Sequence, residues 1–378
     1  MSREPIVARI ASGVGEFDAA DWDRCAGAGN QFLSHAFLTA LEESGSVGAR
    51  VGWQPVPIAI DGADGAPDAV MSAYVKSHSL GEYVFDHGWA DAWERAGGSY
   101  YPKLQIAVPF TPVPGRRLLA RAPELAPALI AAAERVVEAH TLSSAHATFI
   151  AEAEVPLFER AGWLIRADSQ FHWLNNGYAS FEDFLATLSS RKRKMIRKER
   201  ALALEGLEVA HLSGADITEA HWDAFWAFYQ DTGAGKWGRP YLTRAFFSLL
   251  GERLGDKVLL VLARRGDRPI AGALNLVGAE ALYGRYWGCT EEVPYLHFEL
   301  CYYQAIEAAI DRGLARVEAG AQGAHKLARG YRPVPTWSAH YIADPSFRDA
   351  VGRFLAAERR AVAREISQLA EFTPFRRG

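Results

Sequence analysis

The stretch from Lys257 to Glu318 constrains the fold more tightly than any other part of the chain. Lys257-Val-Leu-Leu-Val-Leu-Ala263 is an apolar run with β-branched members, and Arg264-Arg-Gly-Asp-Arg-Pro269 behind it carries the Gly, Asp and Pro of a turn. Ile270–Val277 and Leu282–Gly288 follow at turn spacing, so the segments are expected to pair as an antiparallel meander. Leu296, Leu300, Tyr303, Ile306, Ala309 and Ile310 then recur at helical spacing, which predicts a helix over Leu296–Arg312 closed by Gly313. A strand at Ala315–Glu318 ends the series. It runs into VEAGAQGAHKLARGYRP, Val317 to Pro333, where Gly320, Gly323 and Gly330 free the backbone for unusual dihedrals or close approach, and His325 and Lys326 lie between two of them.

The first half of the chain repeats this order more faintly. Val56–Ile60, Ala69–Lys76 and Leu104–Pro109 read as strands, Leu125–His140 as a helix and Ala147–Ile150 as a strand. A short helix at Pro156–Ala161 and strand-like segments at Gly162–Ile165 and Gln170–Leu174 lead out. Duplication near half the chain length predicts two similar α/β domains rather than a solenoid, and 378 residues exceed what one core usually holds. The domains are expected at 1–175 and 176–345, with the boundary near Asn175-Asn-Gly177 and a C-terminal helix and tail over 346–378.

Net charge is −4, so anion binding must come from a local cluster rather than from the whole surface. The three cysteines, Cys25, Cys289 and Cys301, are an odd number at unrelated spacings, which supports neither a disulfide framework nor a zinc site and makes the cytoplasm the expected compartment. The first residues lack the apolar core of a secretion signal, and no segment reaches the roughly 18 apolar residues of a membrane span. Eleven Trp and fourteen Tyr, many beside glycines or charges, suggest the walls of a pocket or groove.

A meander, a helix and a strand in this order resembles the GNAT acyltransferase fold, and two such domains in tandem resemble the FemAB-like arrangement. Phe181–Gly206, FEDFLATLSSRKRKMIRKERALALEG, is similar to the basic helix that opens the second domain of that family. Pro269-Ile-Ala-Gly-Ala-Leu and Gly320–Lys326 are similar to its later blocks, the latter to a glycine-bearing loop with a lysine after the last core strand. The likeness is strongest over 181–333; the first domain matches by layout and by blocks such as Asn30-Gln-Phe-Leu-Ser34. The chain is identified as a predicted N-acyltransferase of this group. That implies an α+β fold of two tandem GNAT-like domains, each a mixed, largely antiparallel sheet flanked by helices.

The resemblance implies transfer of an acyl or aminoacyl group to an amine, with acyl-CoA or aminoacyl-tRNA as co-substrate and no tightly bound cofactor or metal. The acceptor would be a small-molecule or peptidyl amine, with peptidoglycan chemistry in view; charged tRNA is a possible partner and DNA is not. It puts Lys326 in the role of the loop lysine, stabilising the oxyanion or a donor phosphate, and Glu318 is positioned to orient it. Ser189–Arg200 holds seven basic residues, with Arg193 above Arg197 and Lys194 above Lys198 at i, i+4; helix-borne like charges repel, which points to an anionic partner. Phe184, Leu188, Met195 and Leu202 form the expected apolar stripe of that helix. Gly320, Gly323 and Arg329 complete the expected donor side. The blander reading is a solvated helix face.

His297, Glu299 and His172 are candidates to take the proton of the attacking amine, although a histidine among aromatics is more often a core residue. Because the family's acceptor cleft draws on the first domain, His78, Glu82, Asp86, Tyr101 and Lys103 are acceptor candidates. Lys236, Trp237, Arg239 and Tyr241, together with Arg285, Tyr286 and Trp287, mix cations and aromatics in the second domain and join them. No glycine-rich phosphate loop is found, Gly278 and Gly288 being read as turn residues, and Glu291-Glu292 before the helix would repel an anion; both weigh against coenzyme A as donor. No Gly-X-Ser-X-Gly occurs, and Cys289 and Cys301 read as structural. A glycan- or peptide-binding module without turnover, or less readily a nucleic-acid-binding protein, are the alternatives.

Overall fold

The computed structural model describes residues 6–237, 240–320, 323–372 and 374–376. The chain forms two compact units: unit 1 is Met1–Asp168 with Pro335–Ala363, and unit 2 is Ser169–Val334 with Arg364–Gly378. The division therefore falls before the boundary expected at Asn175, and residues 335–363 join the first unit instead of the second domain and tail. The chain changes unit inside two long strands, whose sequence reads as continuous strand and carries no linker signal.

Unit 1 contains β1 (Ala8–Ile10), β2 (Trp53–Pro55), β3 (Ile58–Asp61), β4 (Pro67–Met71), β5 (Ala73–Lys76), β6 (Lys103–Ile106), β7 (Leu119–Ala120) and β8 (Ser144–Ile150). A small sheet has the order β1-β3-β4-β7. In the larger one β5 lies between β2 and β6, antiparallel to both, and β6 is parallel to β8. The stretch expected as one strand, Ala69–Lys76, is two strands of different sheets. Ser72 separates them, its buried hydroxyl lying within hydrogen-bond distance of the Tyr74 hydroxyl (3.0 Å) and the Ala107 carbonyl (3.2 Å). Next come β9 (Leu164–Leu174), which carries the chain into unit 2, and, after the unit 2 strands, β15 (Arg332–Ile342), which brings it back. Trp337–Ile342 pairs antiparallel with β8 and completes the unit 1 sheet.

In unit 2 the strands are β10 (Glu208–Leu212), β11 (Val258–Arg265), β12 (Arg268–Val277), β13 (Ala281–Cys289) and β14 (Arg316–Glu318). β10 to β13 form the antiparallel meander, β13 pairs parallel with β14, and β14 pairs antiparallel with His172–Leu174 of β9. Each unit thus shows antiparallel strands, a helix, a parallel partner and an antiparallel closing strand. The connecting helices are Ala126–Ala139 and Leu296–Phe298 continuing into Gln304–Asp311.

Those helices explain the packing. Leu129, Ile130, Ala133 and Val137 of the first are buried against Ile58, Ile106 and Ala145, and Ala305, Ile306 and Ala309 of the second against Leu259, Val261 and Val317. Each fully buried Ile or Leu contributes about 1.5–3 kcal/mol relative to exposure. Gly288 is a strand residue, not a turn residue. It pairs with Gly272, and a Cβ added to it would lie 2.1 Å from the Phe228 carbonyl oxygen of the helix Glu219–Trp237. That helix backbone lies directly on the sheet because a glycine is there.

The basic segment is two helices, Phe181–Thr187 and Ser190–Ala203. Ser180 caps the first by accepting from the Asp183 N–H, and Leu188 and Ser189 pair with the C-terminal tail at Phe375 and Pro374. The expected apolar stripe is corrected accordingly. Ile196, Glu199 and Ala203 form the buried face of the second helix, whereas Leu202 is 40% exposed. A stripe drawn across both helices assumed a continuous phase that the break at Leu188 destroys.

Candidate functional site

The parallel pairing of β13 with β14 covers Ala281, Leu282 and Tyr283 and stops there. On the other edge of β13 the register against β12 shifts between Leu274 and Asn275, leaving Arg285 as the extra residue of a bulge. Bulges bend a strand and re-aim a side chain. Beyond this point a cavity of about 120 Å³ opens, lined by Asn275, Gly284, Arg285, Tyr286 and Trp287 on the sheet, by Ala319 past β14, and by His297, Cys301 and Tyr302 on the helix. A second cavity of about 390 Å³ shares Trp287 and His297 with it and runs past Glu291, Glu292 and Leu296. The helix between Phe298 and Gln304 widens into a π-helical turn, Glu299–Tyr303, a feature frequent at functional sites. Cys301, read as structural, is therefore a cavity residue; periodicity at 3.6 residues gave no signal of the extra residue in the turn.

The loop after β14 meets the smaller cavity at Ala319. Lys326 is buried and donates through Nζ to the carbonyl oxygens of Ala319 (2.6 Å) and Gly320 (3.2 Å). Burial lowers its amine to about 8. Glu318 does not take the expected orienting place: its Oε1 accepts from Arg316 at 2.9 Å. Gly320 is left-handed (φ 71°), and its side-chain position faces open space. Gly323 serves a different purpose from approach to a donor. A Cβ there would lie 2.3 Å from Cε1 of His325, so the glycine makes room for that ring.

Several expected site residues are used elsewhere. Arg329 is buried, pairs through Nη2 with both carboxylate oxygens of Glu199 at 2.8 Å, and stacks 3.6 Å from the Phe298 ring centre, so it is not a donor ligand. Glu299 is 0% exposed and accepts from Arg200 and, at 2.7 Å, from Gln304, which removes it from the candidate bases. His172 is buried with Nε2 3.7 Å from Glu318 Oε2, and burial, with Arg316 and Lys326 adding to it, drives it down to about 3. It stays neutral at physiological pH. His297 is half-buried among the Trp287, Phe298 and Tyr302 rings and lines both cavities.

The basic helix splits by face. Arg200 points inward to Glu299 and Glu307, and Arg193 donates to the Leu188 carbonyl. Arg191, Lys194, Arg197 and Lys198 are exposed, Arg197 pairing with Glu182. The group expected to converge with Lys326 thus forms an outer cationic face instead. Tyr241 is half-buried, its N–H donating to the Tyr229 hydroxyl. Lys236 and Trp237 belong to the helix Glu219–Trp237 and not to a loop; their side chains, and Arg239 altogether, lie outside the described residues.

In unit 1 the first-domain candidates do come together, but as a closed cluster. Lys76 and Lys103 face each other across β5 and β6, both 0% exposed. The loop 77–86 folds over them: Lys103 donates to Glu82 (2.7 Å), Ser79 (2.8 Å) and Asp86, while Lys76 donates to the Leu80 carbonyl and sits 3.7 Å from the Trp53 ring centre. Tyr101 bonds Ser79, and His78 accepts the Leu80 N–H. In this arrangement the carboxylates of Glu82 and Asp86 balance the amines of Lys76 and Lys103, all four buried, so the cluster turns inward rather than toward an acceptor. Tyr100 joins Asp86 to His146, and His146 Nδ1 lies 2.7 Å from His340 Nδ1 across β8 and β15. The sequence shows the loop's carboxylates and the lysines of β5 and β6, but not that one covers the other.

This cluster has a pH signature. Burial lifts Glu82 to about 7 and lowers Lys76 to about 7. Burial also opposes both Asp86 and Lys103, but their mutual attraction outweighs it and holds Asp86 low and Lys103 high. Stability from Glu82 is full below the unfolded carboxylate value and is lost as pH rises through about 7. Stability from Lys76 is full above the unfolded amine value and is lost as pH falls through about 7. Asp86 and Lys103 change only outside this window. Amide exchange in 78–86, corrected for intrinsic rates, is therefore expected to show its weakest protection near pH 7, about tenfold below that at pH 5.5 or 8.5. Glu82→Gln should abolish the acid-side rise; protection flat across this range in the wild type would contradict the assignment.

Among the described residues no helix is long and apolar enough to cross a membrane, and no group of three or more His, Cys, Asp or Glu side chains is placed to hold a metal ion. A split parallel strand pair with a helix start and a lysine loop at the opening, in a unit whose topology another unit repeats, defines a tandem GNAT-like protein. The chain belongs to the FemAB-like family, described as peptidoglycan biosynthesis/recognition, whose model matches residues 13–377. Among solved structures it is similar to FemX, at 13% identity and a TM-score of 0.56 over 92% of this chain and 100% of that one. It is also similar to a tandem GNAT protein from the clavulanic acid biosynthesis pathway, at 11% identity and a TM-score of 0.50 over 90% and 99%. A C-terminal domain from Agrobacterium fabrum, assigned to a lysylphosphatidylglycerol synthetase, matches at 11% identity and 0.54 over 90% and 96%. A search of curated proteins found no match. At these identities the structural likeness establishes the fold.

Proposed function

We propose that the protein is an N-acyltransferase, moving an acyl or aminoacyl group from an activated donor to an amine that attacks it directly. The observation that carries this reading is the buried Lys326 amine beside Ala319, a residue of the cavity where β13 leaves β14. A donor carbonyl in that cavity would develop negative charge on the far side of Ala319 from a buried cation, whose field favours that charge. Arg285, Tyr286 and Trp287 line the same cavity and are the acceptor-side residues this reading retains. Holding both partners in so small a space supplies the remainder of the rate.

Aminoacyl-tRNA is the donor this reading favours over acyl-CoA. Glu291 and Glu292 line the larger cavity beside the start of the helix; with Arg265 and Arg268 already paired to Glu291, those arginines are not free to give a pyrophosphate the positive surroundings it would need. The exposed Arg191, Lys194 and Lys198 offer the cationic face an RNA backbone requires. The proposed acceptor is a peptidyl amine, a choice that the family's link to peptidoglycan biosynthesis/recognition supports, and a cytoplasmic location is part of the proposal. Reversing Lys194 and Lys198 to Glu should lower the salt dependence of tRNA binding by about 2 in the log–log slope. An unchanged slope in a variant that still binds would remove the basic helix from the donor site. Label transfer from charged tRNA or acetyl-CoA to an amine tests the activity itself.

A further inference from the structure

We propose that Tyr302 and His325 form the proton exit of the transfer reaction, the Tyr302 hydroxyl taking the proton of the attacking amine as it passes its own to Nε2 of His325. This rests on the acyl-transfer reading above. Tyr302 lines the cavity in which the donor carbonyl would lie. Its hydroxyl is 3.0 Å from His325 Nε2, and the His325 residue is solvent-exposed, so the pair connects the cavity to water. Two other candidate bases on the same helix are less well placed: Glu299 is sealed against Arg200, and the His297 ring packs among three aromatic rings.

The surroundings fit a relay. The glycine at 323 leaves the space the imidazole occupies, and Phe298 packs against the ring at 5.3 Å between centres. His325 O accepts from Arg329, which Glu199 anchors, fixing the backbone under the ring. Burial, then Arg329 and Lys326, lower the imidazole below its ordinary value, so at neutral pH it is the free base, with Nε2 ready to accept when the proton is on Nδ1. Burial raises the Tyr302 phenol, which therefore relays a proton rather than standing as an anion.

In the step, the amine nitrogen bonds to the donor carbonyl carbon and the bond from that carbon to the ester oxygen or thioester sulfur breaks. The amine proton goes to Tyr302, the Tyr302 proton to His325, and the imidazolium returns it to water. The leaving oxygen or sulfur is protonated from solvent, so no further reactant is required.

The test offers purified protein mixed aminoacyl-tRNA or acetyl-CoA with either of two nucleophiles, both of which shed a nitrogen proton on forming product: glycinamide, the more basic amine, and hydroxylamine, a weaker base whose adduct gives its proton to water more readily and so depends less on a protein base. His325→Gln and Tyr302→Phe should each lower amide formation with glycinamide about 10²-fold, the usual worth of a general base, and leave hydroxamate formation within about twofold of wild type. Retention of glycinamide transfer by both variants would overturn the relay and leave the acyl-transfer reading standing. Equal loss with both nucleophiles would overturn it too, by showing a packing role. If wild type transfers to neither nucleophile from either donor, the acyl-transfer reading itself fails and the relay with it.

Discussion

Lys326→Ala is expected to lower transfer by ~10²-fold or more, the scale of removing one oxyanion-stabilising donor, and to do so mainly in kcat. Lys326 donates to the Ala319 and Gly320 carbonyls, which hold the amine in place. Burial lowers its amine to about 8, which leaves it protonated at neutral pH but poised to lose the proton just above. The active form is the ammonium, so the rate should fall as pH rises through about 8, a limb that Lys326→Ala should lack. Lys326→Arg, too long for the same two carbonyls, should not rescue. Transfer that is fully retained in Lys326→Ala would remove the residue from the chemistry.

Glu299→Ala is expected to act on stability, by about 3 kcal/mol in denaturant unfolding, the lower end of what breaking a buried pair costs. Glu299 is fully buried and accepts two Arg200 bonds at 2.9 and 3.1 Å. Without it the guanidinium, which also packs 4.5 Å from the Phe181 ring centre, keeps only Glu307 on the more exposed side. Arg200→Met with Glu299→Leu should recover much of the loss, because replacing both partners removes the stranded charge. If Glu299→Ala unfolds like wild type but transfers poorly, the residue belongs to the chemistry after all.

The meander and the helix after it were legible because β11, β12 and Gln304–Asp311 carry unbroken periodicity between clear turn signals. Short-range patterns do not show where a strand leaves its partner. The cavity lies where β13 and β14 stop pairing after Tyr283, beside a bulge at Arg285 on the β12 edge. Nor do they show pairings made across the fold: Arg200 meets Glu299 at a separation of 99 residues, so the same carboxylate reads as a free base in sequence and as a structural anchor in space. The family likeness points to Lys326, whereas the proposed role of His325 rests on the Gly323 cradle and the Tyr302 hydroxyl, which a linear pattern does not show.

The central claim is that unit 2 transfers an acyl group through the cavity at the β13–β14 split. The direct measurement is label appearing on an amine acceptor when purified protein is given labelled aminoacyl-tRNA or acetyl-CoA, with Lys326→Ala run beside it. The expected result is enzyme-dependent transfer from one donor class that falls by ~10²-fold or more in the variant. No transfer from either donor, with peptidoglycan fragments bound equally well by both proteins, would contradict it and leave a recognition module.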